Sequence, residues 1–484
     1  MLNKIQKISR HVKHNTSKIT ASVGLTIFLA VPLVSTPAAA SYEVNQAAID
    51  ALVSKSMEEK RIPGVAISVM HKGKMIFAKG YGYANLEHKV KIMPKTLFQS
   101  ASVGKMFTSS LILLLEQDGK LSLDDKILKH FPNGPKTWEN ITIRNLMMHR
   151  SGIPDFAEDF FGEAGLRKDF NHDELMSHIY TMPLIFAPNT QFSYSNAAYA
   201  MLGILVEKLT GKPYGDMLNT RVFGPAGMKN SQVNDIHQII PHRSQGYIIR
   251  DEKLLRDYYV SPTLSQTADG SLLFNVLDMA AWDNALFYAN SVLPAKTASE
   301  MWKRRPFSDA TAQKSGYGYG WGISEVRGHK VYSHSGGWQG FSTYYIHIPA
   351  KDLSVVVLAN LEGANSGTIS KKILGTLDSA LASYLPIKDS KPELTSAHQK
   401  AVTAYLAGDA LGKAFSKKAA KALNGINQKR AITDFKPAVS QEKFELVAVN
   451  SKNSSRSYKA GRVIAHISTD KNGLIDSLEL QGRY

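Results

Sequence analysis

The chain has 484 residues, which is enough for about two or three domains of ordinary size. Hydrophobic residues make up 43% of the chain and charged residues 20%, ordinary values for a soluble globular protein. There is no cysteine, so disulfide bonds, thiolate metal sites, a cysteine nucleophile and a lipid-modified N-terminal cysteine are all excluded.

The first forty residues have the pattern of a secretory signal peptide. Five basic residues precede a short apolar segment at 21–34, and Pro37-Ala38-Ala39-Ala40 supplies small residues for cleavage near Ala40. The apolar segment is too short for a comfortable bilayer span, and an uncleaved N-terminal membrane anchor is the alternative. We therefore expect an exported protein, secreted or periplasmic.

The positive charge is concentrated at the two ends of the chain. The formal net charge is +17, and removal of the five basic residues of the leader leaves +12. From Lys391 to the end there are 16 basic and 8 acidic residues. Nucleic acid is not an expected partner of an exported chain. This basic region is either a solvated face or a surface with weak attraction to anionic wall polymers or membranes.

The elements of the first part follow from hydrophobic periodicity. A helical stripe at 44–57 precedes two apolar runs at 64–70 and 75–83, which predict a β-hairpin. A helix from about Ser102 to Asp118 comes next. The region up to about Arg304 is dominated by helical patterns, at 141–149, 172–180 and 197–209.

Strand patterns return late in the chain, and they set the predicted fold class. Four strands are predicted at 319–326, 330–334, 341–348 and 353–358, and an amphipathic helix closes the region at 368–384. This order predicts an α/β (α+β) fold, an antiparallel β-sheet flanked by N- and C-terminal helices with an inserted helical domain.

Beyond this domain, which we place at 41–387, a polar linker is predicted at 388–396. A small basic α+β domain of unknown role then occupies 397–484. Its predicted helices and strands lie at 398–406, 411–423, 444–449, 462–468 and 474–480.

The tetrad Ser102-Val103-Gly104-Lys105 carries the first chemical signal. Residues three apart share one face of a helix, so the serine hydroxyl and the lysine amine are expected to point the same way. A hydroxyl needs a base to become a nucleophile, and a partly buried lysine can be that base because desolvation lowers its pKa. The alternative is an N-capping serine followed by a surface lysine. The same spacing recurs at Ser440-Gln441-Glu442-Lys443, in a polar segment, and we interpret that copy as chance.

Two later segments add further chemistry. Tyr194-Ser195-Asn196 precedes a helical pattern; a buried tyrosine near a lysine can shuttle protons, and an asparagine amide can hold a carbonyl group. His334-Ser335-Gly336-Gly337 ends a predicted strand, and its glycines permit close approach of a substrate backbone. A backbone N–H there, together with that of Ser102, would form an oxyanion hole.

In this order the three elements resemble the serine β-lactamase and penicillin-binding-protein superfamily, which is marked by S-x-x-K, Ser/Tyr-x-Asn and K-T-G-like elements. The resemblance is closest to the branch that holds class C β-lactamases, D-alanyl-D-alanine carboxypeptidases, D-aminopeptidases and related esterases. It covers roughly residues 43–385. Further stretches support it, at 146–154, 225–228, 269–271, 278–280 and 317–322.

The resemblance implies a role for each matching residue. Ser102 is implied to be the nucleophile, with Lys105 and Tyr194 as the proton-transfer pair. The N–H groups of Ser102 and Gly337 are implied to form the oxyanion hole. Substrate contacts are implied for three residues, Asn196, His334 and Gly336. No metal or organic cofactor is required.

Two departures from the family pattern bear on the substrate. His334 stands where typical β-lactamases carry a lysine, so a permanent positive charge for a β-lactam carboxylate is missing. A protonated His334 is expected to supply such a charge only at lower pH. Asn189 stands where glycine is usual, and asparagine tolerates left-handed backbone angles.

The sequence therefore predicts an exported serine hydrolase that forms an acyl-enzyme on Ser102 and cleaves an amide or ester bond. A D-amino-acid peptide or a small ester is the expected substrate, and the expected partner is this small-molecule or peptide substrate. The alternatives are a class C-like β-lactamase and a penicillin-binding-like protein without efficient turnover. The oligomeric state does not follow from the sequence.

Overall fold

The computed structural model describes residues 42–156, 163–257, 260–303, 305–306, 316–382, 386–439, 442–450, 454–461 and 463–482. The leader and the cleavage point predicted near Ala40 lie outside the described residues. Among the helices that are described, none combines the length and the apolar character needed to cross a membrane.

The helices are α1 Gln46–Lys60, α2 Lys105–Gln117, α3 Ile143–Met147, α4 Glu163–Arg167, α5 His172–Thr181, α6 Asn196–Thr210, α7 Tyr214–Leu218, α8 Gly224–Ala226, α9 Val276–Phe287, α10 Ala295–Met301, α11 Ser366–Leu377, α12 Pro392–Ala407, α13 Lys417–Leu423 and α14 Ile426–Val439. The strands are β1 Gly64–His71, β2 Lys74–Asn85, β3 Val90–Lys91, β4 Phe98–Gln99, β5 Gln232–Val233, β6 Tyr247–Arg250, β7 Lys253–Arg256, β8 Leu272–Phe274, β9 Arg305–Pro306, β10 Gly316–Tyr317, β11 Gly322–Val326, β12 His329–Trp338, β13 Phe341–Ile348, β14 Leu353–Ala359, β15 Glu445–Asn450, β16 Ser455–Ala460, β17 Val463–Thr469 and β18 Ile475–Gly482.

One antiparallel sheet organises the chain between β1 and β14. Its order is β3-β2-β1-β14-β13-β12-β11-β10-β9, so the first long strand pairs with the last strand of this region. The helices α2 to α10 are inserted between β3 and the strands at the opposite edge. The predicted antiparallel sheet with flanking helices and a helical insertion is thereby confirmed.

The central strand β1 is covered on both faces because its side chains alternate between two apolar clusters. Val65, Ile67 and Val69 belong to a cluster with residues of α1 and α11. Ala66 and Met70 belong to the other cluster, with residues of α2 and α9. All five side chains are fully buried, and each large one stabilises the fold by about 1.5–3 kcal/mol.

A second, four-stranded sheet lies in the basic C-terminal region, in the order β15-β16-β17-β18. It packs with α12, α13 and α14 around an apolar cluster of its own. Helix α12 begins at Pro392, inside the stretch that we predicted as a linker, because proline is well suited to the first turn of a helix.

Two elements of this region, β16 and α14, were not predicted. The side chains of β16 alternate between inside and outside, but one inward position is the charged Arg456, which breaks the apolar pattern. Arg456 is buried and forms an ion pair with Asp389. Helix α14 contains Pro437, which is unfavourable inside a helix and obscures the pattern.

Candidate active site

Ser102 lies in a short 3₁₀ turn, Ala101–Gly104, immediately before α2 begins at Lys105. The predicted helix therefore starts as a tighter turn. Residues three apart eclipse each other in a 3₁₀ helix, so this turn aligns the Ser102 hydroxyl with the Lys105 side chain.

The segment before Ser102 is held by contacts with two other elements. Ser100 Oγ donates to the Gly270 carbonyl at 2.9 Å, and the Ser100 carbonyl accepts from Thr343 Oγ1 at 2.7 Å. Ala101 follows with φ of 45°, in the left-handed region that costs an L-residue about 1–2 kcal/mol. Strain of this kind persists where surrounding contacts fix the backbone, as they do here.

Lys105 is fully buried, and its amine has three partners. Nζ lies 3.2 Å from Ser102 Oγ and 2.7 Å from Asn196 Oδ1, and it donates to the Asp269 carbonyl. Burial lowers the pKa of Lys105 to about 8, against the opposing charges of Asp269 and Asp155. The two carbonyl oxygens only accept hydrogen bonds, so a neutral amine that donates to both turns its lone pair toward Ser102.

The orientation of the Asn196 amide is set by Asp155. Asn196 Nδ2 donates to Asp155 Oδ2 at 2.8 Å, and the Asn196 backbone N–H donates to Oδ1 at 3.2 Å. An ionised carboxylate only accepts, so Asn196 must present its NH2 group to Asp155 and its oxygen to Lys105. The contact with Asp155 uses one of the two N–H donors of the amide.

Tyr194 is half-buried, with its hydroxyl shielded from solvent, and its ring centroid lies 4.1 Å from that of His149 and 5.0 Å from Lys105 Nζ. Its hydroxyl has no hydrogen bond of normal geometry within the described part of the chain. Burial raises the pKa of Tyr194 well above its usual value, and the nearby Ser102 hydroxyl partly offsets that rise. Tyr194 is therefore a neutral phenol.

His149 supports Tyr194 from behind. Its Nδ1 accepts the backbone N–H of Ser195 at 3.1 Å, which fixes the residue after Tyr194. Burial, with the charge of Lys105, lowers the pKa of His149 well below its usual value. An uncharged imidazole therefore packs against the phenol ring.

His334 is buried and uses both ring nitrogens. Nδ1 lies 2.7 Å from the Ser335 carbonyl, which only accepts, so Nδ1 carries the proton. Nε2 then accepts from the Tyr317 hydroxyl at 2.7 Å. Burial, with the charge of Lys105, lowers the pKa of His334 to about 3. The positive charge that we expected from His334 at lower pH is therefore missing at all but strongly acidic pH.

The two glycines at the end of β12 lie in different surroundings. A Cβ on Gly336 would come within 2.7 Å of the Ser100 carbonyl oxygen and 2.3 Å of Thr343 Oγ1. Gly336 thus allows β12 to approach the segment before Ser102. A Cβ on Gly337 would meet nothing within 4 Å, and Gly337 lines the cleft in front of Ser102.

The cleft holds about 440 Å³ of space, open solvent at its mouth included. Of the predicted site residues, Ser102, Asn196 and Gly337 line the cleft, whereas Lys105, Tyr194, His334 and Gly336 do not. Apolar walls come from Phe156, Leu264 and Trp338. Within the described ranges, no three metal-ligating side chains come together to hold an ion.

Three residues beside the reactive groups were not predicted individually, namely His149, Asp155 and Asp269. His149 and Asp269 fall in stretches that support the family resemblance, but no side-chain role follows from position alone. Asp155 comes directly after one such stretch. Only long-range contacts, such as that between Asp155 and Asn196, reveal what these side chains touch. The second tetrad begins at Ser440, outside the described residues.

Comparison with known proteins identifies the family. Residues 49–403 match the family described as Beta-lactamase. The match covers well over half of the chain, and the chain therefore belongs to the Beta-lactamase family of serine hydrolases.

Individual relatives agree with this assignment. Penicillin-binding protein 4* of Bacillus subtilis is 30% identical over 305 residues, which span 60% of this chain and 66% of that protein. The chain thus spans about two thirds of the length of that relative. Protein flp of Staphylococcus aureus is 27% identical over 362 residues, 70% of each chain.

Solved structures share the fold. The octameric penicillin-binding protein homologue from Pyrococcus abyssi has a TM-score of 0.62 at 24% identity, covering 89% of this chain and 95% of that one. The D-amino acid amidase from Ochrobactrum anthropi SV3 has a TM-score of 0.59 at 24% identity, covering 69% of this chain and 98% of that one.

Proposed function

We propose that this chain forms an acyl-enzyme on Ser102 and hydrolyses an amide or ester bond, with a D-amino-acid peptide or a small ester as substrate. The observation that carries the proposal is the environment of Lys105. Its amine lies 3.2 Å from Ser102 Oγ, both its N–H bonds have acceptors, and its pKa is about 8.

In acylation, neutral Lys105 takes the proton of Ser102 while Oγ forms a bond to the substrate carbonyl carbon. The negative charge that develops on the carbonyl oxygen is stabilised by the N–H groups of Ser102 and Gly337. The second N–H of Asn196 holds an acyl-side carbonyl of the substrate. Lys105 is an ammonium at the end of this step.

When the tetrahedral intermediate collapses, the bond between the carbonyl carbon and the leaving group breaks. Tyr194, a neutral phenol, gives its proton to the leaving amine or alcohol and regains one from Lys105. In deacylation, Lys105 takes a proton from water, and the hydroxide forms a bond to the acyl carbon. Ser102 leaves with the proton that Lys105 returns.

The state of His334 disfavours the β-lactamase alternative. A β-lactam carboxylate is best held by a cation, and His334 is neutral at ordinary pH. An uncharged peptide or ester carbonyl has no such requirement. We therefore rank β-lactams third among the substrates.

Intact-mass spectrometry of the whole chain tests the nucleophile. After exposure to a fluorophosphonate we expect one covalent adduct on the wild-type protein and none on Ser102→Ala. Ser440→Ala is the matched control, since Ser440 has the same spacing to Lys443 that Ser102 has to Lys105. An adduct that survives Ser102→Ala, or that disappears in Ser440→Ala, contradicts the proposal.

Turnover assays then separate the alternatives. A D-alanyl-D-alanine peptide, p-nitrophenyl acetate and a chromogenic cephalosporin are compared by kcat/KM, with benzylpenicillin adducts followed by mass. Faster hydrolysis of the cephalosporin than of the other two indicates a class C-like β-lactamase. A stable adduct on Ser102 without turnover of any substrate indicates a penicillin-binding-like protein.

We also propose that the chain is exported after cleavage near Ala40, and that its basic C-terminal region associates weakly with anionic wall or membrane surfaces. The support is the leader pattern and the surplus of positive charge after Lys391. N-terminal sequencing of the protein recovered from its producing cell tests the first point, and an intact Met1 contradicts it. Salt-sensitive binding to anionic vesicles tests the second.

A further inference from the structure

We propose that the exposed residues of 88–95 and 237–242, which we call the two-turn surface, dock this chain on an anionic lipid bilayer. The two-turn surface lies between β1 and β14, outside the basic region after Lys391. Its role is independent of the acyl-enzyme chemistry. The proposal is carried by apolar side chains that stand in solvent among lysines, on two turns that the fold holds side by side.

Two stiff turns form the centre of this surface. The turn 93–96 is closed by the N–H of its last residue, which donates to the Met93 carbonyl at 2.9 Å, and the turn 240–243 is closed in the same way at 3.4 Å. The second residue of each turn is a proline, Pro94 and Pro241. Proline at this position fixes φ at the value that the turn needs, so both turns hold their shape.

The residues that follow the two turns pair with each other. Leu97 and Arg243 form a parallel bridge, in which the Leu97 N–H donates to the His242 carbonyl at 2.9 Å and the Leu97 carbonyl accepts from the Ser244 N–H at 3.0 Å. In a parallel pairing the preceding residues lie at the same end. The two turns are therefore neighbours, although they are far apart in the chain.

The loop before the second turn is also held in place. The Arg243 guanidinium donates to the carbonyls of Asp235 at 2.9 Å and Gln238 at 3.4 Å. The Asp235 carboxylate accepts the His237 N–H at 2.8 Å. Within this structured loop, the side chain of Ile239 is 98% exposed. Exposure of this isoleucine is thus a built feature of the loop.

The first segment adds two more exposed apolar side chains. Val90 in β3 is 49% exposed and Met93 is 41% exposed. Apolar surface in contact with water is unfavourable, and a single case needs no explanation. Three such side chains on adjacent segments, with a proline in each turn, indicate a surface that another partner covers.

Lysines lie among these apolar residues and indicate the charge of that partner. Lys89, Lys91 and Lys95 are exposed, and none of the three forms an ion pair with a carboxylate among the described residues. The acidic residue of this segment, Glu87, faces Arg256 at 3.7 Å. Lysine side chains can lay their methylene groups over apolar surface while their amines reach anionic groups.

This mixture fits a lipid surface better than a protein surface. Lysine is depleted in protein interfaces, and a stable interface buries about 800 Å² of each partner. A few apolar side chains spaced among lysines match the boundary between acyl chains and anionic headgroups, which can accommodate each side chain separately. Export of the chain, which we propose, would bring the two-turn surface next to such a bilayer.

The absence of cysteine permits a local test on the whole chain. Ile239→Cys is labelled with the polarity-sensitive fluorophore NBD and titrated with vesicles of phosphatidylglycerol and phosphatidylcholine. We expect a blue shift and a rise in emission, which pure phosphatidylcholine does not produce. Ile185→Cys is the matched control, since Ile185 is 54% exposed outside both segments, and its label should stay in water. The label reports only its own surroundings, so binding through the leader does not imitate the signal.

The lysines are tested in the same labelled chain. Replacement of Lys89, Lys91 and Lys95 by glutamine should raise the lipid concentration at half-signal by at least about 10-fold. Replacement of three exposed lysines of the basic C-terminal region, Lys413, Lys417 and Lys421, is the matched control and should leave it unchanged. Hydrolysis of p-nitrophenyl acetate should be the same in all variants, which verifies folding.

Three results would overturn the proposal. They are a label at position 239 that stays in water, an equal response at position 185, and a titration that moves only with the C-terminal lysines. A blue shift that grows with protein concentration without lipid would assign the two-turn surface to a second copy of the chain and would likewise overturn it. Fluorophosphonate labelling of Ser102 is unaffected in each case, so the acyl-enzyme proposal stands or falls separately.

Discussion

Two polar clusters lie beside the nine-stranded sheet, and of these two only one opens to a cleft. The catalytic cluster, named for its proposed role, comprises Ser102, Lys105, Tyr194, Asn196 and Asp155. The sealed cluster comprises Asp283, Tyr345, His347 and Ser354. In the sealed cluster His347 Nδ1 lies 2.8 Å from Ser354 Oγ, and Asp283 Oδ1 accepts from Ser354 and Tyr345.

The sealed cluster contains an aspartate, a histidine and a serine, the residue types of a serine hydrolase, but a substrate in the cleft has no access to them. His347 stacks on Phe287 at 3.8 Å between ring centroids, and both His347 and Asp283 are almost entirely buried. The second carboxylate oxygen of Asp283 makes no hydrogen bond to any described residue and is enclosed by packed protein, and burial raises the pKa of Asp283 to about 6. An unpaired group indicates a site only where space for a ligand lies in front of it.

The largest expected effect comes from removal of the amine in the catalytic cluster. Lys105→Met should lower kcat/KM by about 10²–10⁴-fold, because the general base is lost while the buried volume is kept. Lys105→Arg should be equally inactive, since a guanidinium does not give up its proton. Steady-state kinetics with p-nitrophenyl acetate measures both. Near-normal activity of either variant would remove Lys105 from the mechanism.

The pH profile is the next largest effect. The pKa of Lys105 is lowered to about 8, and the base acts only when neutral. Activity should therefore rise with pH, close to tenfold per unit between pH 5 and 7, and level off above about pH 8. A profile of kcat/KM against pH checks this, with circular dichroism to verify folding at each pH. A flat profile would mean that another group takes the proton.

The sealed cluster should respond in stability and not in activity. The pKa of Asp283 is raised by burial to about 6, so the charged form is disfavoured in the folded state. The contribution of Asp283 to the free energy of unfolding is fully present below the pKa of the unfolded state, which is about 4. This contribution is lost as the pH rises through about 6, the pKa in the folded state.

Asp283→Asn removes this titration. Between pH 4 and 8, the stability of the variant relative to wild type should change by about 3 kcal/mol in favour of the variant. Urea unfolding at several pH values measures the change. The kcat of Asp283→Asn should match that of the wild type, because none of the four residues of the sealed cluster lines the cleft. A constant difference across pH would show that Asp283 does not titrate in this window.

The smallest effect is expected at Asp155, which holds Asn196 in position within the catalytic cluster. Asp155→Asn replaces one of the two acceptor oxygens that orient Asn196 with an NH2 donor and should lower kcat/KM by about 10-fold. It also removes a charge that raises the pKa of Lys105, so the pH profile should shift to lower pH. A merely structural role would reduce activity without that shift, and the pH profile of the variant distinguishes the two.

The sequence was sufficient for the fold class and for the contact between Ser102 and Lys105. The hairpin at β1 and β2 and the strands β13 and β14 follow from apolar runs that are separated by turns. In the tetrad, the 3₁₀ turn brings the Lys105 amine into contact with the Ser102 hydroxyl, three residues away. The contacts of Asp155 with Asn196 and of Asp269 with Lys105 could not be predicted, because they depend on which distant residues the chain brings opposite each other. The low pKa of His334 likewise arises from burial that local pattern does not reveal.

The left-handed backbone at Ala101 restricts how this protein can be re-engineered. Side chains branched at Cβ are excluded at such a φ, whereas glycine, asparagine and aspartate tolerate it. In a randomised library that spans the residues around Ser102, many substitutions at this one position would lower the stability of the fold by about 1–2 kcal/mol or more. Diversity is better spent on Phe156, Leu264 and Trp338, whose side chains face the cleft and do not set its backbone.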